Sequence, residues 1–183
     1  MTLTKNNLLI FGAYLWFIGM VVFCLSNNTA KVSEIALSNF ALDVKTKYIF
    51  SSCIIGLAFV ILYFQERFDF KGITRQWLVY AIRYGSVVSS IALVLVALID
   101  LTSPLHNYFA AVYFIIMPIL SVLFGIIYKI RGNNTLANYL IVIGASNFVI
   151  SIILFRFVHS LLIAECVHTQ FIFVYVFLIN KQK

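Results

Sequence analysis

Charged residues are scarce in this sequence. Only 10% of its 183 residues are Asp, Glu, Lys or Arg, and six of these are acidic, whereas 63% of the residues are hydrophobic. A soluble domain of this length has too little interior to hide so much apolar surface. We therefore expect lipid to surround most of the chain, which places it among the integral, multi-pass membrane proteins.

Cysteine and proline are also scarce. The three cysteines, Cys24, Cys53 and Cys166, lie inside apolar runs without CxxC spacing, which argues against a disulfide framework or a zinc knuckle. We interpret them as small residues in helix packing. The sequence has no Pro/Gly/Ser-rich linker, low-complexity tract or internal repeat, so residues 1–183 are predicted to form a single domain.

The formal charge of +7 is the one imbalance that suggests a partner. Its basic residues lie beside apolar runs, where they are typical of membrane-surface anchors. They are not interleaved with aromatic residues as a nucleic-acid surface would require. The charge therefore favours membrane lipids as partners and excludes nucleic acid.

Six apolar runs have the length that a membrane crossing needs, about 17–25 residues. They cover residues 8–25, 48–64, 77–99, 104–128, 138–155 and 161–179. Backbone groups in lipid must be satisfied within the segment, so these runs are predicted to be helices rather than strands. The first run follows Lys5 but lacks a convincing cleavage site, so we expect it to be a retained span.

The distribution of basic residues predicts the orientation. Nine fall on the side that holds the N-terminus, if Arg83 reaches back toward that surface: Lys5, Arg67, Lys71, Arg75, Arg83, Lys129, Arg131, Lys181 and Lys183. The opposite side carries four: Lys31, Lys45, Lys47 and Arg156. The positive-inside rule then places both termini in the cytoplasm. All three histidines fall in the outer half of the membrane.

The stretch "IDLTSPLHNYFA", residues 99–110, holds the first candidate site. Thr102 or Ser103 can cap helix four, and Pro104 suits its first turn. Asp100 and His106 lie at the two ends of this short link, so their side chains are expected to be close. A carboxylate and an imidazole can act as an orienting group and a general base. The alternative is that both are interfacial residues in contact with headgroups.

The last two helices carry the second candidate site. Glu165 and His168 are three residues apart and share one helix face. A carboxylate inside an apolar span should face the bundle and have a partner. Arg156 and His159 are the nearest candidates in sequence. The alternative is a structural ion pair that closes the hairpin.

Two further observations bear on ligands. Gly144, Asn147 and Ser151 form a polar line on helix five, which indicates either close helix packing or a substrate path. The histidines show neither HExxH nor HxxxH spacing, so no metal ion and no other cofactor is predicted.

The layout resembles the Frag/DRAM/Sfk family of six-helix membrane proteins, and a related bacterial group of unknown function. The resemblance rests on six spans, on "VSE" in the first outer loop, and on "D…LHNYFAAVYF" at the junction of helices three and four. It implies roles for Ser33, Glu34, Asp100 and His106. Relatives in this family are linked to the remodelling of lipid-anchored proteins, to autophagy and to the organisation of membrane lipids.

The leading hypothesis is a membrane protein that binds or modifies lipid headgroups in an outer-leaflet polar pocket. The candidate catalytic residues are Asp100, His106, Glu165 and His168, and the candidate substrate-binding residues are Glu34, Asn147, Arg156 and His159. A phosphate is the natural partner for Arg156. Whether the pocket performs hydrolysis or group transfer, or only binds, stays open at this point.

Two alternatives remain open. The protein could be a non-enzymatic scaffold or regulator, whose partner is a second copy or another membrane protein. A small transporter or channel subunit is disfavoured, because the sequence shows neither an inverted repeat nor a pair of broken helices.

Overall fold

Six long helices make up the fold. The computed structural model describes residues 5–27, 36–42, 44–154, 156 and 161–180. Within them lie α1 (Lys5–Ser26), α2 (Val44–Glu66), α3 (Gln76–Leu98), α4 (Pro104–Ile130), α5 (Asn134–Ile153) and α6 (Leu161–Asn180). A short 3-10 helix, Leu37–Ala41, precedes α2. All six long helices are long and apolar enough to cross a membrane. The all-α class and the six predicted helices are confirmed.

Some helix bounds differ from those predicted. The run at 48–64 belongs to a helix that begins at Val44, and the run at 138–155 belongs to one that begins at Asn134. The side chain of Asn133 caps α5 by accepting a hydrogen bond from the amide of Leu136 at 3.1 Å. The length of an apolar run corresponds to the thickness of the hydrocarbon layer, whereas the helix that contains the run extends further, into the polar interface. The sequence prediction therefore started these two helices too late.

The helices are arranged in chain order around the bundle, because each packs against the next and α6 returns to α1. Helix α6 also contacts α2 and α4 across the interior. Helix α1 lies at the periphery, where it packs mainly against α2 and α6. The inner position of α6 brings its polar residues into the middle of the protein.

The bundle has two ends. The turn end holds the α3–α4 turn, residues 99–103, and the start of α6. The termini end holds the starts of α1 and α3, loop 67–75 and the end of α6. The side chains of Asn6 and Asn180 are hydrogen-bonded there at 3.1 Å.

The α4–α5 pair is the closest packed. A Cβ atom added at Gly144 would stand 2.6 Å from the carbonyl oxygen of Pro118. Ser121 on α4 donates a hydrogen bond to the carbonyl of Leu140 on α5 at 2.8 Å. The predicted close packing on α5 is thus confirmed at Gly144.

Two buried serines of α3 form their hydrogen bonds within the helix. The hydroxyl of Ser86 donates to the carbonyl of Ile82 at 2.7 Å, and that of Ser89 donates to the carbonyl of Ser86 at 3.0 Å. Both bonds stay within α3, because a serine in a helix can reach the carbonyl one turn back.

Candidate functional site

His168 occupies the buried face of α6, about 10 Å along the helix from Leu161. Its side chain is fully buried. Two aromatic residues of α4 enclose it: the ring centroid of Phe114 lies 4.2 Å from that of the imidazole, and the centroid of Tyr113 lies at 5.5 Å. Among the described residues, neither ring nitrogen of His168 has a hydrogen-bond partner.

Polar atoms without partners are rare in protein interiors. A neutral imidazole carries one donor and one acceptor, so His168 leaves both unused. The hydroxyls of Tyr113 and Ser90 are also buried, and the described part of the chain offers no partner to either. Three polar side chains on α3, α4 and α6 thus retain hydrogen-bonding capacity in the same half of the bundle.

A cavity of about 40 Å³ adjoins this group, and we call it the four-helix cavity. Helices α2, α3, α4 and α6 line it, and its polar lining residues are Tyr113, Glu165 and Thr169. Thr169 donates its hydroxyl proton to the backbone carbonyl of Glu165 at 2.9 Å. The volume is enough for two or three atoms the size of a water oxygen, at roughly 10–15 Å³ each. Tyr113 lies between the cavity and His168, because it lines the cavity and its ring contacts the imidazole.

The other candidate pair, Asp100 and His106, is not joined by a hydrogen bond. The carboxylate of Asp100 is exposed and accepts hydrogen bonds from the amide and the hydroxyl of Thr102, at 2.9 and 2.8 Å. These two bonds lower the pKa of the Asp100 carboxyl, and the nearby charges of Lys47 and His106 lower it further.

His106 is buried, with its Nδ1 atom 3.2 Å from the carbonyl oxygen of Ile99. Ser103 caps α4 by accepting from the amide of Leu105 at 3.3 Å, and Pro104 occupies the first helical position, as predicted. The polar side chains of this turn therefore stabilise the α3–α4 connection.

The remaining candidate residues lie apart from the cavity or outside the described residues. Arg156 is exposed. Asn147 is buried, and its Oδ1 atom accepts a hydrogen bond from the hydroxyl of Ser151 at 3.1 Å. Glu34 and His159, together with Ser33, lie outside the residues that the structure describes.

Sequence reasoning missed Tyr113 and the contribution of α2. Tyr113 is one of ten tyrosines, and most tyrosines in a membrane protein lie near its surfaces. A signal was present, because Tyr113 follows His106 by two helical turns and therefore shares its face of α4. The wall from α2 had no comparable signal, since its lining residues are apolar.

A second polar cluster lies at the termini end. Gln65 donates a hydrogen bond from its Nε2 atom to the Tyr175 hydroxyl at 2.8 Å, and the Tyr128 hydroxyl donates to the carbonyl of Ile179 at 3.3 Å. Between this cluster and His168, α4 and α6 present buried apolar side chains: Met117, Leu120 and Ile172. Buried apolar side chains of α4 and α6 therefore lie between the two clusters.

Among the described residues, no group of three or more His, Cys, Asp or Glu side chains is placed to hold a metal ion. No family model, curated protein or solved structure matches this chain. The resemblance to the Frag/DRAM/Sfk family therefore stays a prediction.

Proposed function

We propose that the chain crosses a membrane six times, with both termini in the cytoplasm, and binds the headgroup of a phospholipid at the four-helix cavity. Large apolar side chains on the outer faces of the helices support the insertion. Among them, Val22, Phe59 and Val142 are each at least 60% exposed. Soluble monomers rarely expose so continuous an apolar surface to water, whereas a helix that spans a membrane exposes such a surface to lipid.

The observation that carries the binding proposal is His168, a fully buried imidazole with unused donor and acceptor, next to a cavity that Glu165 lines. Polar groups inside an apolar bundle are costly, so an ionisable residue there is by default a functional residue. A ligand with both donor and acceptor atoms would satisfy the Tyr113 hydroxyl directly, and His168 through Tyr113 or an ordered water.

The cavity volume limits which part of a lipid can enter. About 40 Å³ accepts a terminal ammonium or hydroxyl group but excludes a whole headgroup. The phosphate would then stay outside the cavity. The geometry therefore favours an ethanolamine-type headgroup, whose ammonium fits, over choline, whose three methyl groups do not.

Binding is better supported than catalysis. Asp100 and His106 are engaged with Thr102 and Ile99, and no hydrogen bond joins the two to each other as a general base and its orienting group. These contacts equally favour a second candidate function, a non-enzymatic scaffold in which the polar residues only close the bundle. Transport is less well supported, because apolar side chains separate the two polar clusters.

Replacing Tyr113 by Phe tests the binding proposal, because it removes one hydroxyl and leaves the ring. That hydroxyl has no partner among the described residues, so the free energy of unfolding should stay the same or rise. Affinity for phosphatidylethanolamine, measured by native mass spectrometry in detergent, should fall about three- to tenfold, the loss expected for one hydrogen bond.

Tyr84→Phe is the matched control, because Tyr84 is 70% exposed and lies away from the cavity. It should leave the affinity unchanged, and wild-type protein should bind phosphatidylethanolamine more tightly than phosphatidylcholine. If both tyrosine variants bind like the wild type, the headgroup proposal is wrong and the scaffold is the better interpretation.

A further inference from the structure

The outer face of α3 carries an arginine inside an apolar stripe. The exposed side chains along this face are Trp77, Tyr80, Arg83, Tyr84, Val87 and Ile91. Arg83 is the one charged residue in the sequence of α3 and lies about 10 Å from its start. A cation at that depth on a face that contacts lipid is costly unless it reaches the interface or meets an anion.

The surroundings of Arg83 hold its guanidinium in place without neutralising it. Its central carbon lies 5.4 Å from the ring centroid of Phe70, in a cation–π contact. No carboxylate of the described residues forms an ion pair with it. The charge of Arg83 therefore remains available to an anion.

A second arginine contacts the other ring of the same aromatic pair. The rings of Phe68 and Phe70 meet edge to face at 5.0 Å, and Arg131 lies 5.1 Å from the Phe68 centroid. Arg131 also donates hydrogen bonds to the backbone carbonyls of Asp69 and Lys71. We call the four side chains Arg83, Phe70, Phe68 and Arg131 the arginine–phenylalanine clamp.

The loop that supplies the two rings is itself well fixed. Phe68 is buried against Phe124 and Tyr128, with ring centroids at 4.8 and 5.6 Å. The carboxylate of Asp69, the acidic group of this loop, accepts a hydrogen bond from the amide of Lys71 at 2.9 Å. The clamp is therefore built on a packed loop, so little ordering is needed when a ligand binds.

We propose that the clamp binds the phosphate of an anionic phospholipid in the cytoplasmic leaflet. A guanidinium matches two phosphate oxygens at once, and Arg83 offers this geometry, while Arg131 adds a second positive charge beside the same aromatic pair. The acyl chains would lie along the apolar part of the α3 stripe, at Val87 and Ile91. The proposal rests on the proposed membrane insertion and orientation but is independent of the four-helix cavity.

Arg83→Gln tests the clamp, with phosphatidic acid as the probe because it carries a phosphate without an ammonium or hydroxyl group that could enter the four-helix cavity. In a native mass-spectrometry titration in detergent, Arg83→Gln should bind phosphatidic acid about tenfold more weakly, the loss expected for charge-assisted hydrogen bonds. Its affinity for phosphatidylethanolamine at the cavity should be unchanged. Tyr113→Phe should show the reverse pattern.

Arg75→Gln is the matched control, because Arg75 is exposed at the same end of the bundle and no ring of the described residues forms a cation–π contact with it. It should bind phosphatidic acid like the wild type. Equal weakening by Arg75→Gln and Arg83→Gln would overturn the proposal in favour of a diffuse basic surface. Full competition by inorganic phosphate would also overturn it, because the site would then bind a small anion rather than a lipid.

Phe70→Leu keeps the charge and covers the case in which Arg83→Gln does not fold. It removes the ring on which Arg83 lies, so it should also weaken phosphatidic acid binding, with the wild-type affinity for phosphatidylethanolamine retained. Wild-type affinity for phosphatidic acid in this variant would contradict the clamp.

Discussion

The two described histidines show how one residue type serves two purposes in the same bundle. His106 and His168 are both buried, and both lie in the half of the protein at the turn end. His106 has the carbonyl of Ile99 as a partner and helps to hold the α3–α4 turn. His168 has aromatic rings on α4 instead, which cannot satisfy its nitrogens. For this reason the candidate site centres on His168.

Asp100 gives a prediction that depends on pH. Hydrogen bonds from Thr102 lower the pKa of this carboxyl in the folded protein. Its contribution to stability is therefore complete above the unfolded value of about 3.9 and is lost as the pH falls through the lower folded value. The difference in Tm between wild type and Asp100→Asn should be largest near pH 7 and should shrink as the pH falls below the unfolded value.

Thermal unfolding in detergent at pH 7, 5, 4 and 3 measures this difference. The other carboxylates are common to both proteins, so their titration cancels. A difference that stays constant from pH 7 to pH 3 would show that the hydrogen bonds from Thr102 do not favour the charged form.

At the scale of elements, the α4–α5 contact depends on two glycines. Added Cβ atoms at Gly125 and Gly144 would stand 2.7 and 2.6 Å from atoms of the facing helix. At Gly144 the nearest atom is the backbone oxygen of Pro118, which cannot turn away as a side chain would. Small residues of this kind let two helices approach closely in lipid, where packing replaces the hydrophobic effect.

Gly144→Ala should therefore force α4 and α5 apart. We expect a loss of about 1–3 kcal/mol, the usual cost of inserting a methyl group into a packed contact. Thermal or denaturant unfolding in detergent measures this loss. Gly12→Ala is the control, because a Cβ atom there meets nothing within 4 Å, and this variant should be at least as stable as the wild type. Equal stability of the two variants would contradict the close approach seen here.

At the scale of the molecule, the two ends of the bundle differ in character. The turn end has the four-helix cavity and a short capped connection. The termini end is closed by a loop in which Phe68 and Ile73 are buried. Three arginines there, Arg67, Arg83 and Arg131, contact aromatic rings. The proposed orientation would place the cavity in the outer leaflet and the clamp in the cytoplasmic leaflet.

Cysteine labelling tests this orientation. Thr102 and Lys71 are both exposed and lie at opposite ends of the bundle. In intact cells, a membrane-impermeant maleimide should label Thr102→Cys, whereas Lys71→Cys should react only after permeabilisation. The native Cys24 and Cys53 are buried and should contribute little background, and the partly exposed Cys166 is replaced by Ser in both variants. The opposite labelling pattern would show that the orientation is the reverse of the proposed one.

Much of the helix layout could be predicted, because it depends on local properties of the chain. The length of an apolar run determines whether a helix can cross a hydrocarbon layer, and Ser103 and Pro104 have a helix-capping chemistry that works over three residues. Asp100 and His106 could not be placed in the same way. Their separation in sequence is short, but the Asp100 carboxylate accepts its hydrogen bonds from the amide and the hydroxyl of Thr102 instead.

The sequence by itself determined six apolar helices and the uneven distribution of basic charge. The tertiary structure alone decided which faces of those helices meet. Helices that are apolar on every side carry no stripe that marks an inward face. Only the packing of α6 between α2 and α4 therefore reveals that His168 faces Phe114 without a partner, and that Glu165 lines a cavity with Tyr113.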